Sequence, residues 1–165
     1  MTRSKTADKA LEKTLAKSLA KKPDVRPAVL LDTNVILDAL LQRELFVDDA
    51  RQILQRVEQG ELTAFVCATT VTTIDYLAAK ALGPKASRKL LSVLLDLCDV
   101  APVTRAVITD AIASPLADFE DAVLCHAAIN CGLNAVITRN GKDFRRSGLN
   151  IYSPKEWLLA QSASQ

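Results

Sequence analysis

The sequence contains one histidine, no Cys-x-x-Cys pair, no Gly-x-Gly-x-x-Gly and no long apolar run. Each absence removes a class of protein. A bilayer-spanning helix takes about 18 to 20 consecutive apolar residues, and nothing here comes near that length. The first residues are charged and offer no apolar stretch for a secretory signal, which predicts a cytoplasmic protein. Without the glycine fingerprint, a dinucleotide-binding oxidoreductase is disfavoured. His126, the single histidine, falls inside an apolar helical pattern, where a Ser/His/Asp or Cys/His triad is not expected. Cys67, Cys98, Cys125 and Cys131 all sit among apolar neighbours. They read as small buried hydrophobes in a reducing compartment, because the spacing of Cys125, His126 and Cys131 does not suit a structural zinc site.

What is present is a chain of 165 residues, 49% apolar, enough for one domain with a real core. Its net charge of +2 is unevenly spread. Residues 1–26 hold eight Lys/Arg against three Asp/Glu; the remainder holds thirteen against sixteen. The basic character therefore belongs to an N-terminal extension, and the body is slightly acidic. Residues 1–27 read as an appendage. Over 6–22 the spacing of Leu11, Leu15 and Leu19, with Lys9, Lys13 and Lys17 beside them, predicts a helix that stops before Pro23. Such an arm either is a solvated tail or touches nucleic acid or a partner. Its narrow apolar stripe lacks aromatics and argues against a membrane surface. The body is assigned to 28–160, with a tail at 161–165.

Within the body, strands and helices alternate. Apolar, β-rich stretches predict strands at 28–31, 62–67, 135–138 and 149–152, with a short one at 100–103. Helical spacing predicts helices over 35–42, 48–58, 69–81, 86–98, 106–113, 119–130 and 155–159. Gly60, Gly83-Pro84, Ser114-Pro115 and Gly132 punctuate them, and Ser153-Pro154 supplies a cap and first turn for the last. Alternation of this kind predicts an α/β class, a Rossmann-like three-layer α/β/α sandwich on a mainly parallel sheet.

The acids fall at the ends of these elements. In Ala28-Val29-Leu30-Leu31-Asp32-Thr33-Asn34-Val35, an apolar run ends in a carboxylate. Asp118, Glu120 and Asp121 open the helix at 119, and Asn140 and Asp143 follow the strand at 135. A parallel sheet gathers its strand ends, and the helix starts that follow them, on one edge. Acids far apart in sequence should therefore converge, and together they suit a hard cation with oxygen ligands, Mg²⁺ or Mn²⁺. Plainer roles stand beside this one. Asp32 and Asp118 each occupy a position suited to capping a helix, and Thr33 and Asn34 suit a turn. Asn140-Gly141 is a turn pair, and Asp143 has Arg145 and Arg146 as neighbours. Arg139, Lys142, Arg145 and Arg146 form a basic cluster that is either solvated charge or a set of RNA-phosphate contacts.

Three segments, Leu31-Asp32-Thr33-Asn34-Val35, then Asp121-Ala122-Val123, then Val136-Ile137-Thr138-Arg139-Asn140-Gly141-Lys142-Asp143-Phe144, resemble the PIN domain in order and spacing. The resemblance is strongest to VapC-like toxins of type II toxin–antitoxin systems, and it covers residues 28–160. It implies a Mg²⁺/Mn²⁺-dependent endoribonuclease, a homodimer, and a cognate antitoxin as partner. By position, Asp32 matches the family's first acid and Asp121 its third. The fourth stands where this chain has Asn140, and Asp143 follows three residues later. The second, a Glu, falls at Thr73, with Asp75 two residues on. Two residues of helix are about 200° of rotation, so Asp75 points away if that register holds. The catalytic and metal set implied is Asp32, Asp121 and Asp143, with Asp118. Thr33, Asn34, Thr73, Asp75, Glu120, Thr138 and Asn140 stand in support. A non-catalytic PIN fold that binds RNA or protein is the second reading. A phosphatase with an aspartyl nucleophile at Asp32 is the third, and it needs a later lysine such as Lys142.

Overall fold

The computed structural model describes residues 26–163. Its first strand explains the arrangement of the rest. β1 (Ala28–Leu31) is flanked on both sides by parallel neighbours, β2 (Thr63–Cys67) and β4 (Ala135–Ile137). Side chains on successive residues leave opposite faces of a strand, so a strand in this position must be apolar on both. Val29 and Leu31 enter one core and Leu30 the other, and all three are essentially without solvent exposure. β3 (Asp99–Ala101) pairs with β2 and β5 (Asn150–Tyr152) with β4, giving a five-stranded parallel sheet of order β3-β2-β1-β4-β5.

Seven helices among the described residues cover the sheet. They are α1 (Thr33–Leu40), α2 (Val47–Glu58), α3 (Ala68–Leu82), α4 (Pro84–Leu97), α5 (Arg105–Ile112), α6 (Phe119–Asn130) and α7 (Pro154–Ser162). One core packs Val35, Ile36, Ile53, Ile74, Leu94 and Trp157 from α1–α4 and α7 against the sheet. The other packs Val107 and Ala111 of α5 and Ala122 through Ala128 of α6 against its opposite face. The three-layer α/β/α class expected from the alternating pattern is the one observed.

Chain reversal at the helix ends uses glycine where the backbone demands it. Gly60 and Gly132 follow α2 and α6 with φ of +72° and +73°, in a region that side chains with a Cβ disfavour. Several bounds differ from the sequence pattern by one or two residues. α1 begins at Thr33, since the Asp32 carbonyl accepts N–H groups from Val35 (3.1 Å) and Ile36 (3.4 Å). α7 continues to Ser162, past the end expected at 159, on a complete capping box between Ser153 and Glu156. The helix expected over 6–22 lies outside the described residues.

The strand order reverses at β1, between β2 on one side and β4 on the other. Open parallel sheets bind their ligands outside the carboxyl ends of the strands at such a point. Leu31 pairs with Ile137, so the next residues, Asp32 and Thr138, face each other across that crevice. Among the described residues no helix is long and apolar enough to cross a membrane.

Candidate active site

Asp32 occupies the N-cap position of α1, yet its carboxylate does not cap the helix. The capping alternative is thereby replaced by a different use of the side chain. Asp32 is 7% exposed and is gripped from β4 and α1. The Thr138 hydroxyl donates to Asp32 Oδ2 at 2.6 Å, and the Asn34 amide donates to the same oxygen. Asn34 also donates to Thr138 Oγ1 (3.2 Å) and accepts the Arg139 N–H (3.2 Å). The Thr138 hydroxyl accepts the Asn140 N–H as well (2.9 Å). Two small polar side chains thus lace the end of β1 to the turn after β4. Burial pushes the Asp32 carboxyl above its ordinary value, and the bonds from Thr138, the Thr33 N–H and Asn34 oppose that shift. The Thr33 hydroxyl turns to α3, donating to Thr70 at 3.2 Å.

The second acid arrives from α6. Asp118 caps that helix by accepting the Asp121 N–H at 3.1 Å, which leaves Asp121 one turn inside the N-terminus. The Asp121 carboxyl is pushed up to about 6. Burial is the largest cause, followed by the charges of Asp118, Asp32, Asp143 and Glu120. Four other carboxylates therefore lie close enough to repel this one. A cleft of about 220 Å³ opens beside them, with Asp32, Glu120 and Asp121 in its wall together with Thr73, Asn140 and Arg43.

Thr73 and Asp75 separate as a helix requires. Thr73 borders the cleft, and its hydroxyl lies 3.4 Å from Glu120 Oε1. Asp75 turns to α4, accepting from the buried Ser87 hydroxyl (2.8 Å) and pairing with Arg88 (3.3 Å). The structure thus places Asp75 outside the cleft. Asp143 is exposed on the 141–146 turn; it adds charge felt by Asp121 without lining the cleft.

The basic residues divide too. Lys142 and Arg145, with Thr138, Gly141 and Ser153, border a separate hollow of about 410 Å³ beyond the 138–140 turn. Lys142 is thus not among the residues that line the Asp32 cleft, where an aspartyl phosphatase would need its lysine. Arg146 is exposed. Arg139, grouped with these in the sequence, borders the same hollow and is also tied to α1 and the turn after it. Its guanidinium lies 2.7 Å from Asp38 Oδ2 and 4.1 Å over the Phe46 ring. That ion pair is close but off the hydrogen-bond direction, so neither atom counts a hydrogen bond. Asp38 has no exposure and also meets Arg43 at 3.4 Å. Asp38, Arg43 and Phe46 are contributors that the sequence did not reveal.

Apart from Arg43, the polar side chains that line the cleft (Asp32, Thr33, Asn34, Thr73, Glu120, Asp121 and Asn140) all offer oxygen. Burial pushes the Cys98 and Cys125 thiols up to about 12, so neither offers a thiolate at neutral pH. The four cysteines are free. Among the described residues, no three acids, histidines or cysteines already stand together as a complete metal-holding group.

A PIN-domain family model matches residues 28–142. The chain belongs to the PIN-domain family. Solved structures with this fold include VapBC2 from Rickettsia felis bound to a DNA fragment from its promoter. It is 14% identical over 76% of this chain and 98% of that one, with a TM-score of 0.62. A toxin–antitoxin complex from Klebsiella pneumoniae is 23% identical over 76% and 97%, at 0.58. VapC20 from Mycobacterium tuberculosis, a sarcin–ricin loop cleaving toxin, is 13% identical over 66% and 86%, at 0.53. No curated protein matches the chain. At the level of the family, PIN and VapC proteins are nucleases, and the PIN core here places Asp32 directly after its first strand and Asp121 in the first turn of α6.

Proposed function

We propose that this PIN protein is a Mg²⁺- or Mn²⁺-dependent endoribonuclease, the toxin of a toxin–antitoxin pair. The observation that carries the proposal is Asp121, whose carboxyl is lifted to about 6 by burial and by four neighbouring acids at a cleft. Carboxylates crowded this way repel one another, and a divalent cation held between them would relieve that repulsion. Mg²⁺ characteristically takes one or two carboxylates and completes its shell with waters and substrate phosphates, so the carboxylates of this wall fit it without a closed protein cage. When bound, such an ion makes water a better nucleophile and stabilises the charge that develops on a cleaving phosphodiester.

In this reading Asp32 and Asp121 are the principal ligands, with Glu120 beside them. Thr138 and Asn34 fix the Asp32 carboxylate in one orientation, so its geometry does not have to be organised when substrate arrives. Asp118 orders the first turn of α6, and Asp143 adds to the negative field. Lys142, Arg145 and Arg146 bind RNA phosphates outside the cleft. The antitoxin is a segment that covers the acids, in keeping with the complexes from which neighbouring structures come. A homodimer forms through α4, where Val93 and Leu95 are each about half exposed. The protein works in the cytoplasm, and the basic arm 1–27 is a separate appendage to the 28–160 body.

One observation favours a second reading. Thr73, at which the resemblance puts the family's second acid, lines the cleft and brings no carboxylate to it, which suits a non-catalytic fold that binds RNA or protein. Cleavage of mixed RNA with Mn²⁺ and with Mg²⁺ distinguishes the two. Metal-dependent cleavage by the wild type, lost in Asp32→Asn and in Asp121→Asn, is the expected result. Absence of cleavage together with absence of Mn²⁺ binding would establish the non-catalytic fold.

A further inference from the structure

A hollow of about 400 Å³ lies at the opposite edge of the sheet from the acids. Ala28, Ala135 and Asn150, the first residues of β1, β4 and β5, border it, whereas Asp32 stands just past the last residue of β1. Four residues of strand, roughly 13 Å, separate Ala28 from Asp32. Val29, Ala135 and Tyr152 line the hollow from the sheet; Trp157 and Gln161, one turn apart, line it from α7. Asn134 and Asn150 complete the wall, joined by the Asn150 N–H donating to the Asn134 carbonyl at 2.9 Å. Arg26 borders it where the chain approaches β1. The polar ends of these side chains are unpaired. Trp157 is 3% exposed, yet its indole N–H has no acceptor among the described residues. A buried indole N–H ordinarily finds one. The Tyr152 hydroxyl, the amides of Asn134, Asn150 and Gln161 and the Arg26 guanidinium have no hydrogen-bond or ionic partner there either. No acid among the described residues lines this hollow. Asp96 and Asp99 border a neighbouring one, which Arg26 also reaches without forming an ion pair.

We propose that this hollow is a binding site for a nucleoside monophosphate, separate from the acid cleft and independent of the nuclease reading. Its size falls within the roughly 300 to 1,000 Å³ of small-ligand sites, which combine an apolar or aromatic wall with a few convergent polar groups. Each part of the wall answers to a part of that ligand. Trp157 and Tyr152 offer aromatic surface to a planar heterocycle. Carboxamides both donate and accept, as the mixed donors and acceptors on the edge of a base require. The Arg26 guanidinium presents a fork of N–H groups that matches phosphate oxygens. A wall with one cation and no acid selects an anion, the reverse of the cleft at Asp32 and Asp121, which repels one. The ligand would join α7 to the first residues of three strands, so it would stabilise the folded chain as well as occupy it.

Trp157 is the only tryptophan of the chain, so its fluorescence reports on this hollow without a label. The test is titration of the full chain, in chelator, with AMP, GMP, CMP and UMP. At least one of them should change the emission saturably and raise the melting temperature. The matching nucleoside, which lacks the phosphate, should bind roughly tenfold more weakly, the loss expected for one charge-assisted contact. Arg26→Gln should lower nucleotide affinity by the same factor and leave the nucleoside unmoved. Asn150→Ala and Gln161→Ala should weaken both ligands. These three side chains are exposed or half-buried, and the nucleoside titration of Arg26→Gln shows that its site is intact. Absence of a saturable change with all four nucleotides overturns the proposal. So does equal affinity for nucleoside and nucleotide, which removes Arg26 from the site. Inorganic phosphate that competes as well as the nucleotides would leave an anion site only and overturn it too. Binding kept in Arg26→Gln and lost in Asp121→Asn would move the ligand to the acid cleft and overturn it as well.

Discussion

Two clusters of charge lie at the same end of the sheet and are built on opposite terms. At Asp38, a carboxylate with no exposure faces Arg139 at 2.7 Å and Arg43 at 3.4 Å, and the Arg139 guanidinium rests on Phe46. At Asp121, a half-buried carboxylate faces Asp118, Asp32, Asp143 and Glu120, and its carboxyl is pushed up to about 6. The first cluster is balanced and closes α1 onto the turn after β4. The second is left unbalanced beside an open cleft. Burial is common to both, so burial alone does not mark a site; the sign of the neighbouring charge does. Asp38 is paired with two arginines, whereas every charge that shifts Asp121 is an acid and the one arginine in the cleft wall, Arg43, is the one that also meets Asp38.

The sharpest way to break the balanced cluster is Arg139→Ala. Asp38 then keeps a single partner, Arg43, in a place without water. Removing one member of a buried pair costs about 3 kcal/mol, because the remaining charge is stranded. For a chain of this size the melting temperature should fall by roughly 6 to 12 °C. Replacing Asp38 and Arg139 together with leucine should recover most of the loss, since an apolar pair has no stranded charge. Thermal denaturation of the single and double variants reads both effects. A single variant as stable as the wild type would mean that water reaches Asp38.

The unbalanced cluster predicts the opposite sign. Asp121 holds its proton more tightly in the folded protein, at about 6, than at its ordinary value of 3.8. Below that lower value folded and unfolded chains are both protonated and the group is neutral to stability. As pH rises through the interval the unfolded chain gives up its proton first, so stability falls, and above about 6 the loss is complete. The interval corresponds to at most about 3 kcal/mol, which solvent around a half-buried carboxyl screens to about 1 kcal/mol. Chelated Asp121→Asn protein should therefore be about 1 kcal/mol more stable than the wild type at pH 8. The advantage should shrink as pH falls from 6 toward 4. Added Mn²⁺ should reverse the order by stabilising the wild type alone. Urea titrations with and without Mn²⁺ measure this, and a gain independent of both pH and metal would place its origin elsewhere than in repulsion.

The same contrast explains what could be read from the sequence. α6 has the bounds its pattern predicts, because acids at its start and a glycine after its end agree with its apolar run. The parallel sheet was legible from strands apolar on both faces, and that topology brings Asp32 and Asp121 to one edge. Asp38 was not legible. An acid in Ile36-Leu37-Asp38-Ala39-Leu40 carries no sign of its partner, which lies beyond β4 in sequence and meets it only when β1 and β4 pair. The ion pair of Arg139 was hidden for the same reason. Arg139 borders the same hollow as Lys142 and Arg145, but its guanidinium is held by Asp38 and Phe46. Asp32 reads as an N-cap by position, and only Thr138, from another strand, draws its carboxylate away.

Asp75 gives the smallest expected effect and the cleanest boundary between the clusters. It is an acid two residues from the cleft-lining Thr73, and a single step of register would have added it to the site. The structure instead gives it the Ser87 hydroxyl at 2.8 Å and Arg88 at 3.3 Å, joining α3 to α4. In Asp75→Ala the Ser87 hydroxyl keeps its second acceptor, the residue-75 carbonyl at 3.2 Å, so no buried donor is orphaned. The cost should be about 0.5 to 1 kcal/mol, the net worth of one hydrogen bond, because the exposed Arg88 pair adds little. Mn²⁺ affinity and the rate of RNA cleavage should stay at wild-type levels. If Asp75→Ala instead loses metal binding while its stability barely changes, α3 turns further in solution than its hydrogen bonds to α4 imply. The acid cluster would then include a fifth neighbour of Asp121, and Thr73 in the cleft wall would no longer argue for a non-catalytic fold.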